Sequence, residues 1–477
     1  MAWWPAPSSV RRRSIAASLC GAATGPLRWK PPQAPARWTG IRQATARTPA
    51  CPQPILPGGI PNGGGYTGPT SEDCLTINVT APLVPAPVGA RGAPVMVWIP
   101  GGGNTSGGAE VESYDARNFA RDGVIVVTFN YRLGPLGFMA HPALTAEAPA
   151  GQPLGNYGLM DQVAVLRWVK ANIRAFGGDP GNVTLFGESA GGADTLALMT
   201  TPAARGLFHK AIVESGGGWW QADTLAQREA DGAALAAKLG LPVGATPDQL
   251  RAIPVEALIA NLGRGDIGPT VDGRMFSLSP TQAFAQGRAV DVPLIIGSNS
   301  NEASIAGNFA GPAGAAAAAN IPAGVRAAYP GLSDNELARQ YFNDARFGGP
   351  ARWIAARAAA GRPSWLYYFS YVPERQRGSR PGTNHASEIP FFFDSIDAIP
   401  GRTALAQASE RNLTALAHAC WVAFARTSVP TCPNTPWPAY DPSTDQLLHF
   451  DQDTVVETGF RRAQMEAQER ANAALWR

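Results

Sequence analysis

Continuous apolar runs recur along the chain without the polar and apolar alternation expected of a strand with one face in water. Five of these runs are APVMVWI before Pro100, GVIVVTFNY to Tyr131, NVTLF before Gly187, AIVES to Ser215 and DVPLIIG to Gly297. Such runs are typical of strands covered on both faces, as in a parallel sheet. Between them, Leu166, Val169 and Ile173 recur at helical spacing. The alternation predicts an α/β fold with a mostly parallel central sheet flanked by helices.

Length and composition are those of a folded chain with a large core. Of the 477 residues, 45% are hydrophobic and 16% are charged. Arg is scattered, Lys is rare and the net charge is only +3, which argues against a nucleic-acid partner. The long uncharged stretch at residues 303–325 is too weakly apolar for a membrane span. We expect one domain over residues 25–477, after an atypical N-terminal segment at residues 1–24.

Two regions that are rich in Gly and Ala interrupt the strand pattern. Residues 219–290 and 303–361 show weaker helical signals, and we expect them to form helical insertions over the sheet. The run RPSWLYYFSY predicts a further strand, and RRAQMEAQERANAALW predicts a C-terminal helix.

The five cysteines do not have the spacing of a metal site, so we expect no zinc. Cys51 and Cys74 would close a loop rich in Gly and Pro, where a disulfide would restrict a segment that is costly to order. Cys420 and Cys432 are a second candidate pair, and free buried thiols are the alternative for both. The N-terminus has an arginine cluster before a mildly apolar segment, which resembles a degraded export signal. A periplasmic or secreted protein and a cytoplasmic one both stay open.

Ser189 stands between two glycines in LFGESAGG, directly after the apolar run NVTLF. Small residues follow it, and they allow a sharp turn from a strand into a helix. This is the arrangement of a nucleophile elbow, in which glycines remove Cβ atoms where strand and helix crowd together. A serine hydroxyl is a poor nucleophile unless a base and an orienting acid assist it. The assignment of the serine therefore depends on its partners.

His385 is the best candidate for the base among five histidines. It lies in PGTNHASEIPFFF, in a loop after a predicted strand. His209 and His418 lie in settings where a structural histidine is the stronger interpretation. His141 and His449 have surroundings that indicate no role.

Glu302 is the candidate acid because it lies in LIIGSNSNEAS, just past the end of a buried strand. Open α/β sheets collect functional groups at this position. Its carboxylate would accept a hydrogen bond from His385 and stabilise the imidazolium that forms when the serine loses its proton. Glu188 is adjacent to the nucleophile, but we expect it to point away as a buried structural carboxylate.

An oxyanion hole is predicted after the strand VMVWIP. The backbone N–H groups of Gly102 and Gly103 are open to a carbonyl oxygen because no side chain blocks its approach. Together with the N–H of Ala190 they would bind the tetrahedral intermediate. Glycine triplets also occur in ordinary loops, as at residues 63–65.

Two longer stretches, SEDCLTINV at residues 71–79 and FGGDPGNVTLFGESAGG at residues 176–192, resemble signatures of the type-B carboxylesterase and cholinesterase-like family. The resemblance covers about residues 25–440. It implies the α/β-hydrolase fold, in which the triad follows the chain order Ser, Glu, His. It also implies a serine carboxylesterase that works through an acyl-enzyme. The residues that it implies are nucleophile Ser189, acid Glu302, base His385, and oxyanion donors Gly102, Gly103 and Ala190.

The resemblance further implies a disulfide between Cys51 and Cys74. It gives Ser215, in ESGG, a supporting role behind the acid and the base. Trp219 and Trp220 follow this serine, and they either line the acyl pocket or belong to the core.

Three departures from the family pattern bear on this interpretation. Pro100 stands where relatives usually have His or Tyr. Proline has no backbone N–H, but this position is not one of the expected oxyanion donors, so the predicted oxyanion hole is unaffected. Asn104 replaces a usual Phe and should make that wall of the substrate pocket more polar. Unrelated sequence replaces a hairpin-like segment before GPLRW, which we expect to leave the edge of the sheet and the rim of the site incomplete.

We expect small-molecule or oligomeric esters as substrates, and no cofactor, metal, nucleic-acid partner or membrane span. We expect a monomer or a weak dimer. A lipase or a polyester hydrolase with the same triad is an alternative. A non-catalytic, cholinesterase-like adhesion protein is another, although such relatives lack triad residues that this sequence retains.

Overall fold

The computed structural model describes the residues of 11 stretches of the chain, and the structural statements below concern these residues. These are residues 10–15, 24–35, 39–40, 44, 46–55, 65–83, 91–219, 223–262, 267–307, 309 and 311–476. Trp220, a candidate pocket residue, lies outside the described residues. The chain divides into two compact units. The first contains residues 1–185, 197–208 and 222–279, and the second contains residues 186–196, 209–221 and 280–477.

The described residues contain ten strands, which form the central sheet. The strands are β1 Val10–Ile15, β2 Ile77–Pro82, β3 Ala93–Ile99, β4 Ile125–Phe129, β5 Gly178–Glu188, β6 Lys210–Glu214, β7 Leu294–Asn299, β8 Ser364–Phe369, β9 Gln446–Phe450 and β10 Val455–Thr458. In the first unit the strand order is β1-β2-β4-β3-β5, with β3 and β4 parallel and β1 and β2 antiparallel to their neighbours. In the second unit the order runs from the end of β5 through β6-β7-β8-β9-β10, and β6 to β9 are parallel.

Three strands of the sheet are buried along their whole length. Every residue of β4, β6 and β7 is buried, as the unbroken apolar runs predict for strands covered on both faces. All five runs identified in the sequence form strands, and RPSWLYYFSY forms β8. The predicted α/β fold with a mostly parallel sheet is confirmed.

Strand β1 corrects one expectation about the N-terminal segment. Its backbone pairs with β2 over six residues, from Val10 opposite Pro82 to Ile15 opposite Ile77. The segment that differs from the family pattern therefore supplies a strand at this edge of the sheet. The expectation of an incomplete sheet edge is wrong, because backbone pairing needs only an extended chain and not the family's sequence.

Helices connect the strands and form the two insertions. In the described residues they are α1 Arg117–Arg121, α2 Gly134–Phe138, α3 Pro142–Glu147, α4 Tyr157–Asn172, α5 Ala190–Thr200, α6 Leu225–Lys238, α7 Pro247–Arg251, α8 Val255–Ala260, α9 Pro280–Ala285, α10 Pro312–Ala319, α11 Ala323–Arg326, α12 Asp334–Asn343, α13 Gly349–Ala358, α14 Ile389–Phe393, α15 Ala408–Thr427 and α16 Arg462–Ala471. The predicted helical insertions correspond to α6–α9 and α10–α13, and α16 is the predicted C-terminal helix. No helix in the described part of the chain is long and apolar enough to cross a membrane.

Two disulfides close short segments of the chain. Cys51 and Cys74 are bonded, with their Cα atoms 4.9 Å apart, in the first unit. Cys420 and Cys432 are bonded in the second unit, and the sequence alone left this pair open. Each bond limits the conformations that the unfolded chain can adopt, which stabilises the folded state.

Candidate active site

Ser189 occupies the turn between β5, which ends at Glu188, and α5, which begins at Ala190. Its φ of 57° lies in the left-handed region, which a residue with a side chain adopts only under constraint. Two hydrogen bonds supply that constraint. The N–H of Ser189 donates to the carbonyl of Glu214 at 2.8 Å, and its carbonyl accepts from the N–H of Ala193 at 2.9 Å. The sequence therefore places a strained serine at the N-terminus of a helix.

Gly192 lets this turn pack against the residues that follow β6. A Cβ at Gly192 would lie 2.8 Å from Gly216 Cα and 2.9 Å from the carbonyl oxygen of Glu214. A Cβ at Gly216 would in turn lie 2.7 Å from the carbonyl carbon of Gly192. Both neighbours are backbone atoms, which cannot rotate away. Each glycine is therefore required by close packing at the turn that holds Ser189.

Glu302 and His385 lie in direct contact, although 83 residues separate them in the chain. The distance from Glu302 Oε2 to His385 Nδ1 is 2.5 Å. Glu302 is fully buried, and the His385 side chain is only 6% exposed. The N–H of His385 donates to Ser304 Oγ at 3.0 Å, which ties the histidine loop to the segment after Glu302. A carboxylate held at Nδ1 fixes the ring orientation and leaves Nε2 for proton transfer.

The second oxygen of Glu302 is held by two further donors. Ser215 Oγ donates to Glu302 Oε1 at 2.6 Å, and the N–H of Asn299 donates to the same oxygen at 2.6 Å. Ser215 is 1% exposed, and its φ of 48° places its backbone in the left-handed region as well. Hydrogen bonds to an ionised carboxylate are stronger than hydrogen bonds between neutral groups. They keep Glu302 in one orientation against the histidine.

Glu188 does not point away from the histidine, and this sequence prediction is wrong. Its Oε1 lies 3.0 Å from His385 Nε2, and the residue is 2% exposed. Side chains alternate between the faces of a strand, but Glu188 is the last residue of β5 and the sharp turn follows it. The imidazole therefore lies between two carboxylates, with Glu302 at Nδ1 and Glu188 at Nε2. Neither His385 Nε2 nor Glu188 Oε1 makes a hydrogen bond with a described residue.

Two more buried glutamates, Glu214 and Glu388, surround this pair, and the sequence analysis missed both. Glu214 Oε1 accepts a hydrogen bond from Trp421 Nε1 at 2.9 Å. Glu388 Oε2 accepts a short hydrogen bond from Asn299 Nδ2. Both glutamates are fully buried, which is rare for this residue type. In the sequence, only their positions could have indicated them. Glu214 directly precedes Ser215, and Glu388 lies three residues after His385.

Burial and mutual repulsion control the charges in this cluster. Burial raises the pKa of Glu188, and the charge of Glu302 raises it further against the opposing effect of His385. Burial also raises the pKa values of Glu214 and Glu388. For His385, burial lowers the pKa, but the negative charges of Glu188 and Glu302 outweigh it and raise the pKa overall. The histidine is therefore stabilised as an imidazolium in this arrangement.

The three candidate oxyanion donors lie at the ends of two elements. Gly102 and Gly103 follow β3 and have φ values of 113° and 63°. A Cβ at Gly102 would lie 2.3 Å from the carbonyl oxygen of Ser106, so only glycine fits there. Ala190 is the first residue of α5, and N–H groups in the first turn of a helix have no partner within the helix. These positions suit backbone groups that donate to an anion.

The two candidate pocket residues that the structure describes, Asn104 and Trp219, are buried. Asn104 is 3% exposed, and its Oδ1 lies 3.0 Å from Tyr131 Oη. Trp219 is 8% exposed, with its ring centroid 5.6 Å from that of Trp476 and 6.4 Å from that of Trp353. The described residues contain no group of His, Cys, Asp and Glu suited to a metal ion.

Comparison with known proteins gives consistent matches over most of the chain. The profile described as "Carboxylesterase family" matches residues 20–318 and 332–468. Fumonisin B1 esterase of Sphingopyxis macrogoltabida is 35% identical over 87% of this chain and 79% of its own length. Para-nitrobenzyl esterase of Bacillus subtilis is 34% identical over 91% of this chain and 90% of its own length.

Solved structures agree with the sequence comparisons. A PNB esterase structure superposes with a TM-score of 0.82 at 31% identity, covering 97% of this chain and 96% of its own. A thermophilic PNB esterase superposes with a TM-score of 0.83 at 31% identity and covers 97% of both chains.

Proposed function

The chain belongs to the carboxylesterase family and hydrolyses carboxylic esters, and we propose that Ser189 is the nucleophile, with His385 as its base and Glu302 as the acid. The observation that carries this proposal is the 2.5 Å contact between Glu302 and His385 in the unit that also contains Ser189. A carboxylate, an imidazole and a strained serine are the three parts that this chemistry requires.

Ser189 Oγ attacks the ester carbonyl carbon while His385 Nε2 takes the hydroxyl proton. Glu302 stays ionised and stabilises the imidazolium. The N–H groups of Gly102, Gly103 and Ala190 are proposed to donate to the oxygen that becomes negative, as the family motifs imply. His385 then gives its proton to the departing alcohol. Water, deprotonated by the same imidazole, hydrolyses the acyl-enzyme and restores the serine.

Small-molecule esters are the substrates that the comparisons favour. The relatives reported above are named as esterases of p-nitrobenzyl compounds and of fumonisin B1, and we infer that this chain acts on esters of comparable size. A series of p-nitrophenyl esters tests this inference against the lipase alternative. We expect kcat/KM to be highest for short acyl chains, whereas a maximum at long chains would identify a lipase.

The proposed nucleophile is tested by rapid mixing with p-nitrophenyl acetate. We expect a burst of p-nitrophenolate equal to the enzyme concentration, together with an acetyl group on Ser189 in acid-quenched protein. Ser189→Ala should show neither the burst nor the adduct. Acetylation of a different residue, with full turnover by the variant, would refute the assignment.

We further infer that the protein matures in an oxidising compartment, the periplasm or the cell exterior. Two disulfides support this inference, because such bonds persist in oxidising environments and are rare in the cytoplasm. Alkylation of protein isolated from the native cell without reductant tests it. Protected Cys51 and Cys74 are expected, and alkylation of both would contradict it.

A further inference from the structure

A cavity of about 410 Å³ lies in the first unit, between α2, α6 and the chain after α8. Its volume falls within the roughly 300–1,000 Å³ typical of pockets that bind small molecules. It shares no lining residue with the candidate triad or with the three candidate oxyanion donors. The mechanism above therefore gives this cavity no role.

Apolar side chains form most of the cavity wall. Phe138 and Met139 from the α2 segment are buried, and Leu235, Leu262 and Ile267 are half-buried. This lining suits an aliphatic or aromatic group, because polar groups of a ligand would lose their hydration without gaining partners here.

Close backbone packing fixes the shape of the cavity. A Cβ at Gly232 of α6 would lie 1.8 Å from the carbonyl oxygen of Ala140, so α6 is held directly against the chain that follows α2. Gly134, with a φ of 52°, would bring a Cβ within 2.7 Å of Leu262 Cδ1. Its N–H donates to the carbonyl of Asn104 at 2.7 Å. Gly232 and Gly134 therefore allow the close packing that shapes the cavity. The hydrogen bond from Gly134 links the cavity wall to Asn104, which directly follows Gly103.

The charges at the rim differ between the two ends of α6. Near the start of the helix, Arg228 is paired with Asp223 at 2.8 Å, and Asp231 is exposed. In the last turn of the helix, Lys238 is exposed and makes no ion pair with a described residue. An ammonium group beside an apolar cavity complements a ligand with an apolar chain and one anionic end.

We propose that this cavity binds an aliphatic carboxylate, with its chain among Phe138, Leu235 and Leu262 and its carboxylate at Lys238. A monocarboxylate with an aliphatic chain matches both the apolar lining and Lys238, which is the one cation among the described lining residues without an ion pair to a described residue. Chain length should dominate the affinity, because each buried methylene strengthens binding by roughly four-fold. The exposed ion pair should contribute up to about five-fold.

Calorimetric titration with decanoate, below its micelle concentration, tests the proposal without measuring esterase activity. We expect one site per chain, and roughly 16-fold weaker binding of octanoate, which is two methylenes shorter. Leu235→Trp should fill the cavity and weaken decanoate binding at least ten-fold. Val243→Trp, at a fully exposed position of the same unit, is the matched control and should bind as the unaltered protein does. Lys238→Gln should weaken decanoate binding up to about five-fold and leave decanol binding unchanged.

Turnover of p-nitrophenyl acetate checks that each variant is folded. If Leu235→Trp fails to fold, Ala234→Phe at an exposed position of the same wall replaces it. The proposal is overturned if the unaltered protein does not bind decanoate, or if the cavity-filling variant binds it as tightly as Val243→Trp does.

Discussion

His385 Nε2 lies 3.0 Å from Glu188 Oε1, on the side of the imidazole that is not occupied by Glu302. The atom that should take the proton from Ser189 therefore faces a carboxylate in this structure. An imidazolium between two carboxylates is a stable resting state, but it cannot act as a base. Catalysis requires the histidine to lose this proton, so the charge of Glu188 should control the pH range of activity.

Glu188→Gln should move the acidic limb of the pH profile to lower pH. The negative charge of Glu188 raises the pKa of His385, so removing it lowers that pKa. Neutral His385 is then available at lower pH, and kcat/KM should begin to rise earlier. Steady-state rates with p-nitrophenyl acetate across the pH range measure the midpoint of this limb.

Glu214→Gln is the matched control for that experiment. Glu214 is equally buried, but its carboxylate is bound by Trp421 and lies outside the contacts of His385. Its substitution should leave the midpoint where it is. An unchanged midpoint in Glu188→Gln, or a shift to higher pH, would show that Glu188 does not stabilise the imidazolium.

Ser189→Ala and His385→Ala should each lower kcat by about 10³-fold or more, because nucleophile and base act as one unit. For the same reason, the double variant should lose little beyond either single variant. Rates with purified proteins, each checked for an unchanged circular dichroism spectrum, measure this coupling. Multiplicative losses in the double variant would mean that the two side chains act independently.

Ser215→Ala should lower kcat by about ten-fold or more, because Glu302 loses a charge-assisted hydrogen bond worth roughly 1.5–3 kcal/mol. KM should change little, since Ser215 is buried behind the acid. The exposed Ser277 offers a control, and Ser277→Ala should leave kcat unchanged. Equal rates for both alanine variants would remove Ser215 from the catalytic arrangement.

Replacing both Cys51 and Cys74 by Ser should lower the free energy of unfolding by about 3 kcal/mol, from the entropy of the loop that the bond closes. Denaturant unfolding of the oxidised protein and of the variant measures the difference. The activity of folded protein should persist, because neither cysteine belongs to the proposed triad. A difference near zero would mean that the bond does not restrict the unfolded chain.

The strands and the elbow were predictable because their signals are local. An unbroken apolar run identifies a buried strand, and Gly187 and Gly191, two residues on either side of Ser189, mark the sharp turn in the sequence itself. The position of Glu302 followed from the general rule that functional groups collect at the carboxyl ends of parallel strands.

The environment of the histidine was not predictable in the same way. Glutamate is usually found at the protein surface, so a sequence-based prediction places Glu188, Glu214 and Glu388 there unless other evidence indicates burial. Their burial depends on partners distant in the chain, such as Trp421 for Glu214. The direction in which the Glu188 side chain points depends on the backbone turn at Ser189. The sequence pattern predicts that turn, but it does not predict where a neighbouring side chain points.

Labelling with a fluorophosphonate probe, followed by peptide mapping, tests the central claim most directly, because only a serine activated by its surroundings reacts rapidly with this probe. The expected result is one label per chain, on Ser189, with loss of ester turnover in proportion to labelling. Labelling should be lost in His385→Ala. A label on another residue, or full turnover by protein labelled at Ser189, would contradict the account.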